Sequence, residues 1–326
     1  MANKKTVSIL GAGAMGWGIG YIISTYGKAN VIIWDRNLEL VEEMAKTRKN
    51  VANSDSAIVM PSDVLITNDL TETDGSDVVL LAVPSFAVRE MCEKISGFKF
   101  SSLLMISKGM EKETCLLPFQ VARELLPKIN ILHLTGAGYG KEVHLKIPVA
   151  ETLASDNETS LKEMKELLET DWLTIKPSTD LLGVQLAGAM KNVMVIGIGL
   201  AENGQEDQNL RKALIDECVR EMTLLGDAMN ARKETFEGPA GRGDLEISAH
   251  PSSRNYKLGQ SLAQKGIAEV EADLKRRKVT VEGFHTAYAV YQLSKKYLVN
   301  LPIIEEVYRV IYEGKDPKES VNRIIS

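Results

Sequence analysis

One lysine stands alone in an apolar, glycine-spaced run. From 181 to 201 the chain reads LLGVQLAGAMKNVMVIGIGLA, and Lys191 is the one formally charged residue there. Burying an ammonium without a partner is costly, so a position needing only packing would carry Leu or Ala. The residue type points to a required positive charge, or a proton donor, in a dry place. At helical spacing Val184, Ala187, Gly188, Lys191 and Val195 share a face. Burial lowers a lysine's pKa and makes it a better proton donor to a carbonyl being reduced, whereas a nearby carboxylate or phosphate acts the other way. The plainer alternative is a buried lysine paired with a carboxylate at a domain interface.

Other charged and glycine-rich positions could complete such a site. Ser107-Lys108-Gly109 ends a candidate strand, which aims Lys108 at the ligand-binding edge of a sheet rather than along a helix. The alternative is a solvated loop lysine. Gly136, Gly138 and Gly140 fall in one short loop, where a ligand can approach the backbone. Gly241-Arg242-Gly243-Asp244-Leu245 offers a carboxylate in a glycine loop; Asp244 could orient Lys191 or accept from a substrate hydroxyl, or simply close an Asx turn. Ser252-Ser253-Arg254-Asn255 opens a helix, where serine caps, an arginine and free N–H groups can hold a phosphate. A plain N-cap is the alternative. The four histidines lack metal-ligand spacing, and no metal is expected. No nucleophile-elbow motif is present for a Ser–His–Asp hydrolase.

A glycine turn supplies the second chemistry. The first strand runs into Gly11-Ala12-Gly13-Ala14-Met15-Gly16 and then an apolar helix. In that strand–turn–helix context the first glycine permits the turn, the second admits a pyrophosphate, and the third lets helix and strand pack. The helix N-terminus then offers its N–H groups to the phosphates. Asp35, at the end of the second strand, can accept from a ribose 2′-OH and favours NAD. Arg36 beside it could pair with a 2′-phosphate, so NAD is expected with NADP use open. Val83-Pro84-Ser85-Phe86 leaves the sheet at the same edge.

These groups need a scaffold. Short β-branched runs at 6–10, 31–34, 78–83, 103–107, 129–132, 149–154 and 173–176 alternate with helical patterns as far as residue 177. Continuous apolar strands alternating with helices predict a Rossmann-like, doubly wound, mostly parallel sheet (α/β). Beyond it helices follow one another, as an all-α domain. The expected division is a dinucleotide-binding domain at 1–178 and a helical substrate and dimerisation domain at 179–326. The charge runs at 275–278 and 231–233 read as solvated helix ends.

Composition narrows the function class. The chain has 326 residues, a formal net charge of −5 and 44% hydrophobic content, as an ordinary globular protein does. An acidic balance argues against nucleic acid as a partner. Three cysteines without CxxC pairing predict reduced thiols and a cytoplasmic setting. The N-terminus has no small-residue cleavage site, and a signal peptide is not expected. The 181–201 run is long enough to span a bilayer. Lys191 near its middle would cost about 2.5–3.5 kcal/mol there, so a buried helix is expected and no membrane span.

Taken in order, GAGAMG, VPSFAVRE, SKGMEKET, GVQLAGAMKNV, GRGDL, SSRNYKLG, VEG and LPIIEEVYRVIYEGKDP resemble the bacterial-type NAD(P)-dependent glycerol-3-phosphate dehydrogenases over nearly the full length. The resemblance implies reversible reduction of dihydroxyacetone phosphate to sn-glycerol 3-phosphate, a supply for glycerophospholipid synthesis, and a homodimer. It implies Lys191 as proton donor and acceptor, Lys108 at both cofactor and substrate, and Gly136 at substrate through its backbone. It also implies Asp244 holding the substrate end, with Ser253, Arg254 and Asn255 on the phosphate. Arg254 and Glu282 would also contact the cofactor.

Three departures stand out. The family's usual GP[ST][FY]A is here Gly136-Ala137-Gly138-Tyr139-Gly140, so a hydroxyl and a rigid proline are missing. Losing one hydroxyl contact weakens binding by about 0.5–1.5 kcal/mol. The arginine of ALITRG is absent at Asp216-Glu217-Cys218, and Asp35 replaces a small residue. Two alternatives stay open: a dehydrogenase of another small phosphorylated ketose or polyol, and a non-catalytic NAD-binding sensor. A β-hydroxyacid dehydrogenase fits less well, because Val195 stands where that family carries an asparagine four residues after its lysine.

Overall fold

The computed structural model describes residues 4–50, 58–136, 145–205, 207–277 and 280–325; Gly138 and Gly140 lie outside the described residues. The chain divides into two compact units, Met1–Ser107 with Pro118–Leu181, and Lys108–Leu117 with Leu182–Ser326. A contiguous division after residue 178 was expected. The segment Lys108–Leu117 departs from it by belonging to the second unit.

In the first unit the strands are β1 (Thr6–Leu10), β2 (Asn30–Trp34), β3 (Leu65–Thr67), β4 (Val78–Leu81), β5 (Ser102–Met105), β6 (Asn130–Thr135), β7 (Val149–Ala154) and β8 (Leu173–Ser178). They form one sheet in the order β3-β2-β1-β4-β5-β6-β7-β8. Every neighbouring pair is parallel except β6 and β7. All residues of β4 and β5 are buried, as strands covered on both faces must be. Register places Leu10 opposite both Trp34 and Leu81. Three strands therefore end flush, and the residues after them emerge side by side at one edge.

The helices of this unit are α1 (Ala14–Thr25), α2 (Leu38–Thr47), α3 (Val88–Lys94), α4 (Pro118–Leu125) and α5 (Glu158–Leu168). Asn37 caps α2 by accepting from Leu40 N–H, and Asn157 caps α5 by accepting from Ser160 N–H. Gly13 occupies the N-cap of α1 without a side-chain cap bond. The first N–H groups of α1 thus lack the usual side-chain acceptor. Apolar residues of β1, β2, α1 and α5, with Ile9, Ile19, Ile33 and Leu168 fully buried among them, make one core. Burying each such side chain stabilises by about 1.5–3 kcal/mol.

The second unit is helical. It holds α6 (Leu181–Glu202), α7 (Gln208–Ala228), α8 (Lys233–Glu237), α9 (Asp244–Ser248), α10 (Arg254–Lys265), α11 (Ile267–Arg277), α12 (Glu282–Lys296), α13 (Pro302–Tyr308) and α14 (Pro317–Ile325). Among the described residues α6 is the one helix long and apolar enough to cross a membrane, and 94% of its most apolar stretch is buried. A helix that is apolar all round belongs in a core. Pro239–Gly243 forms one widened turn directly before α9. Asp244, expected in a glycine loop, instead opens α9, because this turn carries helical backbone straight into it.

Candidate active site

In the second unit, Lys108, Lys191 and Asp244 converge. Lys191 lies midway along α6, and its side chain is 8% exposed. Its Nζ stands 3.1 Å from Asp244 Oδ1 and donates to Ser248 Oγ at 2.7 Å. Lys108 Nζ donates to the other Asp244 oxygen, Oδ2, at 2.7 Å. Asp244 and Ser248 are the first and last residues of α9, four apart, so both face the same way. Ser248 Oγ also donates to Asp244 Oδ1 at 3.3 Å. One carboxylate thus carries one lysine on each oxygen.

Burial sets the electrostatics. Desolvation, with the Lys108 charge beside it, pushes Lys191 down to about 8, while Asp244 pulls the other way. Burial opposes ionisation of Asp244, yet the two ammonium groups outweigh it and hold the carboxyl at about 2. Asp244 is therefore an anion at neutral pH. Lys191 titrates within reach of neutrality, where a proton donor and acceptor works best.

A second set of bonds fixes the backbone around this cluster. Asn192, next to Lys191, donates through Nδ2 to the Lys108 carbonyl at 3.2 Å. Its Oδ1 accepts from Asn255 Nδ2 at 2.9 Å. Asn255 Oδ1 in turn accepts from Gly283 N–H at 3.3 Å. Asn255, expected on a substrate phosphate, thus has both ends of its amide engaged with protein. Ser253 takes the N-cap position of α10 without a side-chain cap bond, so plain capping does not account for its hydroxyl. Arg254 is exposed, and its side chain makes no ion pair or hydrogen bond among the described residues. Glu282 opens α12, and its charge reaches Lys191 and favours the ammonium.

The first unit carries the dinucleotide candidates. Gly11 has φ +113°, and a Cβ there would sit 2.7 Å from the Ala82 carbonyl oxygen, so only glycine fits. Gly11 N–H donates to the Trp34 carbonyl at 2.8 Å, tying the turn to β2. Gly16 is buried at the start of α1. A Cβ on Gly13 would meet nothing within 4 Å. Gly13 and Ala14 are exposed and Met15 is half-buried, so the start of α1 is open to a phosphate. This cradle fits a dinucleotide pyrophosphate.

Asp35 has a job that the sequence did not reveal. Its Oδ2 accepts from Ala12 N–H at 3.0 Å and its Oδ1 from Asn37 N–H at 3.0 Å. Asn50 donates to the Ala12 carbonyl at 3.1 Å. The Ala12 peptide is thus held at both ends. Arg36 is exposed. Pro84 leads into a tight turn, Ser85–Ala87, in which Ser85 is buried and Phe86 is 59% exposed. Gly136 directly follows β6 with φ +152°, and the Glu151 carboxylate packs where its Cβ would stand.

Sequence reading missed Ser248 and Asn192. The spacing of Asp244 and Ser248 on one helical face was a usable signal once α9 is known. Asn192 had none, because an amide beside a lysine reads equally as packing.

The parallel sheet with its glycine cradle and the lysine–carboxylate–lysine cluster define a nicotinamide-dependent oxidoreductase. The chain belongs to the NAD-dependent glycerol-3-phosphate dehydrogenase family. The family's N-terminal profile matches residues 6–161, and its C-terminal profile matches residues 180–322. The glycerol-3-phosphate dehydrogenase [NAD(P)+] of Syntrophotalea carbinolica is 32% identical, over 97% of this chain and 96% of that one. Its counterpart in Citrifermentans bemidjiense is 33% identical, over 100% and 98%. The crystal structure of glycerol-3-phosphate dehydrogenase from Coxiella burnetii superposes with a TM-score of 0.91 at 26% identity, covering 99% of each chain.

Proposed function

We propose that this chain interconverts dihydroxyacetone phosphate and sn-glycerol 3-phosphate with NAD(P)(H). The observation that carries the reading is the buried Lys191, contacting Asp244 Oδ1 at 3.1 Å while Lys108 occupies Oδ2. The nicotinamide, when bound, gives or takes a hydride at substrate C2. In reduction Lys191 gives its proton to the oxygen of the carbonyl being reduced. In oxidation neutral Lys191 takes the proton back from the C2 hydroxyl. Asp244 orients both lysines and balances part of their charge. Lys108 adds a second cation towards the developing alkoxide, and such preorganised charge is the largest single aid to a reaction of this kind.

The substrate phosphate is assigned to Arg254, Ser253 and the N–H groups that open α10, with Gly136 offering backbone to the substrate. Asn255 supports this set through Asn192. Gly11, Gly13, Ala14, Met15 and Gly16 would hold the pyrophosphate. Asp35, Arg36, Pro84, Ser85, Phe86 and Glu282 would contact the rest of the cofactor. NAD is the preferred cofactor in this reading, with NADP use open. The reading extends to a cytoplasmic homodimer that supplies glycerophospholipid synthesis, as the family resemblance implies.

The test is oxidation of NADH and of NADPH with dihydroxyacetone phosphate beside a panel of three- to five-carbon sugar phosphates. The reading expects the triose phosphate to have the highest kcat/KM. Preference for another ketose phosphate would transfer the site to that substrate, a possibility motivated by the altered loop that begins at Gly136. Tight NADH binding without turnover of any of them would favour a sensor.

A further inference from the structure

Three residues outside the cluster lock the start of α10 to the far end of α6. Glu202, the last residue of α6, has a fully buried side chain. It accepts from the Tyr256 hydroxyl through Oε2. Arg211, in the first turn of α7, donates to both Glu202 oxygens at 2.8 and 2.7 Å. The same guanidinium donates to the Tyr256 oxygen at 3.3 Å. Arg211 also lies over the Tyr256 ring, 5.6 Å from its centroid. Tyr256 itself is fully buried.

The position of Tyr256 gives this clip its consequence. It is two residues beyond Arg254 and next to Asn255, within the first turn of α10. That turn would hold the substrate phosphate. The other end of the clip belongs to the helix that carries Lys191 and Asn192. The two helices cross in close contact here. A Cβ on Gly259 would fall 2.6 Å from the Leu200 N–H nitrogen, and one on Gly199 would fall 3.0 Å from the Tyr256 carbonyl carbon. A crossing this tight transmits a shift instead of absorbing it. Burial and the Glu202 acceptor push the Tyr256 hydroxyl up to about 12, so it remains a donor throughout the working pH range.

We infer that Glu202, Arg211 and Tyr256 are positioning residues for the phosphate-binding start of α10, holding Arg254 and its neighbouring N–H groups in register with Lys191. The inference rests on the substrate reading above and goes beyond it, since none of the three touches the reacting atoms. Ion-paired carboxylates are often structural. The distinguishing property is selectivity: a clip that serves the phosphate subsite affects ligands that bear phosphate and spares those that do not.

The experiment compares wild type with Tyr256→Phe and Arg211→Met in two assays. The first measures kcat and KM for dihydroxyacetone phosphate and for unphosphorylated dihydroxyacetone, at saturating NADH. The second titrates inorganic phosphate into the same proteins by calorimetry. Loss of charge-assisted hydrogen bonds of the clip is expected to raise KM for the phosphorylated substrate about five- to tenfold. It is expected to weaken inorganic phosphate by a similar factor and leave kcat/KM for dihydroxyacetone within about twofold. Arg211→Lys should restore most of the loss. Arg211 is half-buried, with its side chain 18% exposed, so Arg211→Met and Arg211→Lys give a second readout beside Tyr256→Phe, and thermal unfolding checks that each variant is folded. Equal losses on both substrates, or no loss on either, would overturn the inference. If wild type does not turn over dihydroxyacetone phosphate, the substrate reading falls, and the phosphate titration alone still judges the clip.

Discussion

The Lys191 ammonium rests 3.1 Å from Asp244 Oδ1, and the two groups are pushed in opposite directions. Burial and Lys108 bring Lys191 down to about 8, while the two lysines hold Asp244 at about 2. Between those values Lys191 is an ammonium beside an ionised Asp244. In the proposed reaction the proton that moves is the one on Lys191.

A pH dependence of opposite sign for the two directions follows. Lys191 is lowered from 10.5 to about 8, so it is ammonium below that pH and amine above it. Reduction needs the ammonium and should decline as pH rises through about 8. Oxidation needs the amine and should climb over the same window. Profiles of kcat/KM report the free enzyme and are the measurement to make. Flat profiles in both directions from about pH 7 to about pH 9 would remove Lys191 from the proton step.

Asp244→Asn leaves two buried ammonium groups without the carboxylate they share. Breaking such a pair costs about 3–5 kcal/mol, which thermal unfolding would register as a lower Tm. Lys191 should lose protons more readily still, moving the reduction profile to lower pH. A decrease in kcat/KM of about 10²–10³ is expected from the loss of orientation. An unmoved profile would show that Asp244 does not set the lysine's charge.

Glu221 offers a test of stability away from the site. Its carboxyl accepts from Ile303 N–H at 2.6 Å and Ile304 N–H at 3.3 Å, at the start of α13. Burial outweighs those bonds and pushes it up from 4.5 to about 8. Between these values the folded chain keeps a proton that the unfolded chain has released. Stability from this group is therefore full below about 4.5 and is lost as pH rises through about 8. Glu221→Gln should flatten that slope. Urea unfolding at about pH 5 and about pH 8 measures it, and an unchanged difference between the two would contradict the assignment.

Cofactor choice should divide between Asp35 and Arg36. Asp35→Ser removes a charge that repels a 2′-phosphate and also frees the Ala12 N–H it now accepts from. The variant should weaken NADH and raise the NADPH-to-NADH preference about tenfold. Arg36→Ala should lower it. Equal loss for both cofactors in Asp35→Ser would make this carboxylate a brace for the turn alone.

Much of this was readable from residue types because anomalies stand out against periodic patterns. Lys191 was visible as a charge in an apolar run, and the glycine turn as a break between strand and helix. The continuous apolar strands signalled a sheet covered on both faces, and β1 and β7 keep the expected bounds. Three kinds of feature were not legible. β3 is too short, at three residues, to show a period. Lys108–Leu117 joins the second unit through contacts distant in sequence, which no local pattern encodes. Glu202 ends an apolar run and so reads as the return to solvent, whereas it is buried against Tyr256 and Arg211. The engagement of Asp35 by Ala12 and the dual engagement of Asn255 are of the same kind, since partners distant along the chain decide them.

The most direct test of the central claim is turnover of dihydroxyacetone phosphate with NADH by wild type and Lys191→Ala, with NADH affinity measured by fluorescence on the same samples. The account predicts that kcat falls by about 10²–10⁴ in the variant, with NADH binding retained. Full turnover by Lys191→Ala would contradict it.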